Sequence, residues 1–98
     1  MKNIFITEKD GVLTVDINPV TNEDGFNSLC QYLKNEFDAE EIKRLEGPGD
    51  SIGYFMRNGE SFKLIYDDFF GNSLESTTKG GHVLLREIAE DLEKRFSD

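Results

Sequence analysis

Residues 51–70 read SIGYFMRNGESFKLIYDDFF. Two apolar runs flank Asn58-Gly59, the dipeptide best suited to a two-residue hairpin loop, because both positions of that turn need positive φ. With those residues as the loop, Arg57 faces Glu60, Phe55 faces Phe62 and Gly53 faces Leu64. Met56–Ser61, Tyr54–Lys63 and Ile52–Ile65 are the alternate pairs. Side chains alternate along a strand, so Phe55, Phe62, Leu64 and Tyr66 line one face, the candidate core. Ile52, Tyr54, Met56 and Ile65 share the other face with Lys63 and Asp67, and that face calls for a covering element or a partner. Gly53 opposite Leu64 leaves room for a neighbouring ring or marks a bulge. The stretch holds four of the eight Phe and two of the three Tyr and is expected at the centre of a sheet.

Outward toward the N-terminus, residues 3–7 and 12–18 read as two strands joined at Asp10-Gly11. Ile4, Ile6, Leu13, Val15 and Ile17 then share a buried face, and Val12, Thr14 and Asp16 share the opposite one. Pro19 ends the second strand. Thr21 is a suitable helix N-cap, with Glu23 and Asp24 placing negative charge in the first turn. Phe26, Leu29, Cys30, Leu33 and Phe37 recur at helical spacing, and the helix is expected to end near Asp38. Residues 40–46 (EEIKRLE) fit either a last helical turn or a charged edge strand. The Gly47-Pro48-Gly49-Asp50 turn that follows favours the strand, paired with 51–57.

Outward toward the C-terminus, Asp67–Asn72 forms a turn, 73–77 a short strand and Thr77–Gly81 a flexible link. Val83, Leu84, Ile88, Leu92 and Phe96 mark a closing amphipathic helix with basic residues in its last turn. The fold class is α+β: one antiparallel sheet of about five to six strands with two amphipathic helices on one face, in the order β-β-α-β-β-β-β-α.

Ninety-eight residues suit a single domain with one modest core. Eleven basic against twenty acidic side chains give a net charge of −9. That balance argues against nucleic acid and against an anionic membrane surface, and favours a basic partner. Acidic residues are spread over both halves, so the charge belongs to the folded surface. Cys30 stands alone, which excludes an intramolecular disulfide and a cysteine metal cluster. Met1-Lys2 leads straight into strand-like sequence, and no run of about 18 apolar residues occurs. A cytoplasmic location is therefore expected.

Catalytic equipment is sparse. His82, the single histidine, follows two glycines at a helix start with no nucleophile motif beside it, and reads as a solvated first-turn residue. Cys30 lies on the apolar helix face and reads as core filler. Asp67-Asp68, with Asp50 or Glu75 near in the sheet, offers a carboxylate cluster for acid–base work or Mg²⁺/Ca²⁺, but DDFFGNSLES lacks the alternation of a calcium loop. Gly80-Gly81 lacks the remaining residues of a phosphate cradle and reads as a hinge. No cofactor is assigned and the chain is read as non-enzymatic. The informative combination is acid with accessible aromatics, since aromatics anchor interfaces while carboxylates steer a basic partner. Tyr54, Asp67, Asp68, Phe69 and Glu75 are the candidate partner-binding residues. Of Phe69 and Phe70, at least one is expected to tuck beneath the sheet edge.

The length, the acidity, the α+β organisation and a YDD-x-x-GN turn (Tyr66 to Asn72) resemble the small immunity proteins of bacterial toxin systems, such as those of contact-dependent growth inhibition. The resemblance implies a protein that binds the toxic domain of a cognate effector, often a basic nuclease, and occludes its active site. Those proteins share no binding positions, so it transfers no residue roles. The alternative uses are a scaffold or a homodimer paired through the 40–46 edge, and, less favoured, a carboxylate-held metal.

Overall fold

Three tight turns set the sheet. Asp10-Gly11 (φ 53° and 81°) and Asn58-Gly59 (φ 50° and 81°) adopt the left-handed pair of angles expected of hairpin loops. Pro48-Gly49, with Gly49 at φ 87°, makes the third. The computed structural model describes residues 3–97; Met1, Lys2 and Asp98 lie outside them. Its elements are β1 (Ile4–Lys9), β2 (Val12–Ile17), α1 (Glu23–Phe37), β3 (Glu40–Gly47), β4 (Asp50–Arg57), β5 (Glu60–Asp67), β6 (Gly71–Ser76) and α2 (Lys79–Phe96). The expected α+β class and element order are both found.

All six strands form one antiparallel sheet, ordered β1-β2-β6-β5-β4-β3. The central hairpin has the register written from sequence, Arg57↔Glu60 through Phe55↔Phe62 to Ile52↔Ile65. The first hairpin likewise pairs Lys9↔Val12, Ile6↔Val15 and Ile4↔Ile17. Residues 40–46 fall within the edge strand β3, with a bulge between Glu41 and Lys43. The middle of the sheet is β5 with β6 rather than the β4–β5 hairpin alone. β6, read as a short strand at 73–77, begins at Gly71 and pairs with both β2 and β5.

Both helices cover the face that carries Leu13, Val15, Ile17, Phe55, Phe62, Leu64, Tyr66 and Leu74, all buried. Phe55 stacks on Phe62 with ring centroids 5.6 Å apart. Gly53 resolves as space rather than a bulge: a Cβ there would stand 2.8 Å from the Phe55 ring and 3.7 Å from Phe26. Ile6 departs from its expected burial, at 38% exposed, because α2 stops short of the β1 edge and leaves a groove of about 470 Å³. Asn72 is buried on the core face. Its Nδ2 donates to Val20 O at 3.0 Å and Asn22 O at 3.3 Å, fixing the loop into α1.

The helix ends differ slightly from expectation. Asn22, not Thr21, caps α1, its Oδ1 accepting from Gly25 N at 2.7 Å. Asp38 closes α1 in the left-handed region at φ 53°. The expected flexible link is ordered: Thr78 caps α2 by accepting from Gly81 N at 3.0 Å, and Gly80 and Gly81 lie in its first turn. A side chain at Gly81 would collide with Ser76 Oγ and one at Gly80 with the Glu60 carboxylate. These glycines thus serve close approach of helix to sheet rather than hinge motion. Val83 faces outward at 61% exposed, and Leu85 takes the buried position instead. Among the described residues, no helix is long and apolar enough to cross a membrane.

The edge strand β3 is fastened to α1 by charge. Glu41 accepts from Arg44 Nε at 2.7 Å and from Arg44 Nη2 at 3.1 Å, and Lys34 Nζ of α1 lies 2.8 Å from Glu41 Oε1. The Arg44 guanidinium also stacks over Phe26 at 5.3 Å and donates to Asn27 Oδ1 at 2.9 Å. The Arg44 hydrogen bonds hold the Glu41 carboxyl below the usual carboxylate range, with Lys34 adding to them against the opposing cost of burial. A carboxyl depressed in the folded state contributes stability that is present above its unfolded pKa, about 4.3, and is lost as pH falls through the lower folded value. Glu41→Gln is therefore expected to cost about 1–3 kcal/mol at pH 7. The difference from wild type should shrink below about pH 4, read as urea midpoints across a pH series. A gap that persists undiminished at pH 2 would show that the charge of Glu41 is not what holds β3.

Candidate functional site

The face of the sheet opposite the helices carries no covering element among the described residues. Ile52, Tyr54 and Met56 of β4, Ile65 of β5 and Ile42 and Leu45 of β3 stand on it, Leu45 at 45% and Ile42 at 55% exposed. Solvated faces of antiparallel sheets ordinarily alternate to polar residues; a contiguous apolar patch on one marks an interaction surface. A polar row crosses this patch. Lys63 Nζ lies 5.8 Å from the Tyr54 ring centroid and 3.8 Å from Glu75 Oε1. Tyr54 and Glu75, two of the residues singled out in the sequence, are thus joined through Lys63, their common register partner.

Lys63, Ile65 and Asp67 follow one another on the outer face of β5 and lead to the turn at its end. There Asp67 Oδ1 accepts from Phe69 N at 2.8 Å and Phe70 N at 3.2 Å, a local side-chain-to-backbone turn that fixes the tip. Asp68 points the other way, accepting from Tyr66 Oη at 2.5 Å, while its own N–H donates to Gly49 O at 3.0 Å. The hydrogen bond to Asp68, with burial, pushes the Tyr66 phenol up to about 12, so it stays a donor at neutral pH. The β3–β4 turn and the β5–β6 turn are thereby locked side by side, with Asp50 opposite Asp67.

From this anchored tip both aromatic rings project into solvent, Phe69 at 91% and Phe70 at 88% exposed. Neither tucks under the edge. The Asp67 bonds and Gly71 at φ 77° fix the backbone of the turn on either side of these two residues. Asp50 stands opposite Asp67 at the base of the pair, and Asp68 lies on the Tyr66 side of the same turn. Glu75 does not join them, since it lies beside Lys63, four residues back along the neighbouring strand, roughly 13 Å away at about 3.3 Å per residue. Among the described residues no group of three or more His, Cys, Asp or Glu side chains is arranged to hold a metal ion.

His82 is not solvated as expected. Its Nε2 lies 3.0 Å from Gly11 O and 3.1 Å from Ser76 O. Two acceptors around one ring nitrogen require Nε2 to carry the proton, so the ring staples the first turn of α2 to the β1–β2 loop. Cys30 is fully buried, and burial pushes its thiol up to about 11, consistent with core filler and an unreactive sulfur.

The arrangement supports recognition of a protein surface: an apolar patch, a row of opposite charges and two rigidly presented rings rimmed by carboxylates. Sequence reasoning missed Lys63 as the link in the row and missed Ile42 and Leu45 as an extension of the patch. The signal for the latter was present in EEIKRLE, where two apolar residues sit in a charged strand. No family model, no curated protein and no solved structure matches this chain.

Proposed function

We propose that this chain is a non-catalytic acidic binding protein, an immunity protein that neutralises a cognate basic, nuclease-like toxin domain by covering its active site in the bacterial cytoplasm. The observation that carries the reading is the Phe69–Phe70 tip, two nearly fully exposed rings held by Asp67 and flanked by Asp50 and Asp68. Large rings in a pre-fixed turn lose little freedom on binding and are the residue type that dominates interface energetics. A net charge of −9 draws a basic partner in, and the carboxylates at the tip orient it. Tyr54, Glu75 and the apolar patch form the remainder of the contact, continuous with the tip along β5. An active site that binds nucleic-acid phosphate is itself basic, so a carboxylate-rimmed tip competes for the groups that would hold the substrate.

The test is co-expression with any basic toxin domain found encoded beside the chain's gene, followed by binding measured at two salt concentrations. Cells should survive only when the chain is present. The association rate should fall by about tenfold or more between low salt and 0.5 M NaCl, as steered encounters do. Recovery of no basic protein at low salt, together with no protection from any neighbouring toxin, would sink the reading.

A further inference from the structure

The two edges of the sheet are built differently. β3 is guarded by a bulge and by five charged residues in EEIKRLEG, devices that keep a second strand away. β1 lacks the bulge and keeps its charges, Glu8 and Lys9, to its last two residues: Ile4-Phe5-Ile6-Thr7 is regular, uncharged and free of proline, with Phe5 at 41% and Ile6 at 38% exposed. Asn3 O accepts from Asn18 N at 3.2 Å, so the alternation of an antiparallel pair turns the N–H and C=O groups of Ile4, Ile6 and Glu8 away from β2. The contact of Ile4 N with Glu93 Oε2 at 2.9 Å confirms that direction. Among the described residues, no acceptor reaches the N–H of Ile6 or Glu8. Beside this open ladder runs the groove of about 470 Å³ between β1 and α2, floored by Ile4, Ile6 and Ala89.

We propose that this edge is where a second copy of the chain pairs, β1 antiparallel to β1, joining two sheets into one. Charge selects the occupant. Elsewhere the surface is acidic, but here Glu8, Glu90 and Glu93 are matched by Lys9, Arg86 and Lys94. A basic partner gains nothing at such a place, whereas two copies approach with least repulsion. An axis at Ile6 makes Ile6 face Ile6, Phe5 face Thr7 and Ile4 face Glu8, and the Ile4 N–H then passes from the Glu93 carboxylate to the second copy's Glu8 carbonyl. No like charges lie directly opposite in that strand register. Arg86, 3.1 Å from its own Glu8, then comes opposite the position where the second copy's Glu93 sits, and each arginine stands between two carboxylates. The proposal concerns a different surface from the aromatic tip and stands or falls without it.

Sedimentation equilibrium on the full chain, from about 5 µM to 1 mM, reads the mass. It should rise with concentration from 11.2 kDa toward twice that value. The Ile6 and Glu8 amides should gain protection from hydrogen exchange over the same range. Ile6→Pro removes an N–H that the β1–β2 ladder does not use and is expected to remain monomeric throughout. Arg86→Glu, on an exposed helix face, is expected to weaken association at least tenfold and decides the matter if the proline variant fails to fold. A wild-type mass that stays at 11.2 kDa up to 1 mM overturns the proposal, as does a dimer left unweakened by Arg86→Glu or Ile6 and Glu8 exchange independent of concentration.

Discussion

Phe55→Ala is expected to lower the unfolding free energy by about 3–5 kcal/mol, the range for emptying a large aromatic site in a packed core. Phe55 is 1% exposed and stacks on Phe62 at 5.6 Å with the rings 15° apart. It also occupies the space that Gly53 leaves, next to Phe26, so one ring links β4, β5 and α1. Few neighbours can relax into the cavity: Leu64 and Leu74 are fixed in regular strands on either side of the sheet's midline. For a domain whose total stability is about 5–15 kcal/mol, the loss is about a fifth or more of the whole. The thermal midpoint should drop by at least about 12 °C, and the urea midpoint should fall with the slope unchanged. Phe55→Leu, closer in volume, should cost less than about 1.5 kcal/mol. An alanine variant within 1 kcal/mol of wild type would mean that this ring is not part of the core.

The second large effect is on binding and leaves the fold alone. Phe69→Ala with Phe70→Ala should weaken the proposed complex with a basic toxin domain by at least about a hundredfold, since anchors of this kind cost about 2 kcal/mol or more each when truncated. Stability should change by no more than about 0.5 kcal/mol, because neither ring touches the core. The loss should appear mainly as faster dissociation, whereas Asp50→Asn with Asp67→Asn should slow association and flatten the salt dependence. Stopped-flow association and dissociation rates separate the two. A double phenylalanine variant that binds within threefold of wild type would place the contact elsewhere on the molecule.

The legibility of this chain varied with the kind of signal. Asp10-Gly11 and Asn58-Gly59 demand positive φ at both loop positions, so each fixed a register, and with it every inward and outward residue of four strands. Periodicity located α1 correctly but placed Val83 where Leu85 belongs; the two lie about 200° apart around the helix, and Leu85 is the one beside the Leu84, Ile88 and Leu92 stripe. Gly80-Gly81 suggested looseness. Their small size instead admits Glu60 and Ser76, a tertiary reason that no local pattern carries. His82 was read as solvated because the carbonyls it meets, of Gly11 and Ser76, are distant in sequence or lie across a turn. Of the candidate surface, the residue types were legible and their grouping was not. Tyr54 and Glu75 are joined through Lys63 only because β6 lies beside β5, and the Asp67 bonds that fix the turn carrying Phe69 and Phe70 are a feature of its folded backbone.

The placement of β6 also bears on how the molecule assembles. Four of the five strand pairings join strands consecutive in sequence, with turns that close locally. The fifth joins β2 to β6, Leu13 to Ser76 and Ile17 to Asn72, residues from opposite ends of the chain. Hairpins of this kind form in about 1–10 µs, but a seam between distant strands must first overcome the entropy of closing everything that lies between them. Its contacts return nothing until that loop is shut, so the speed of folding is governed there. The strand with the plainest sequence, Gly71–Ser76, is the one for which the rest of the sheet has to wait.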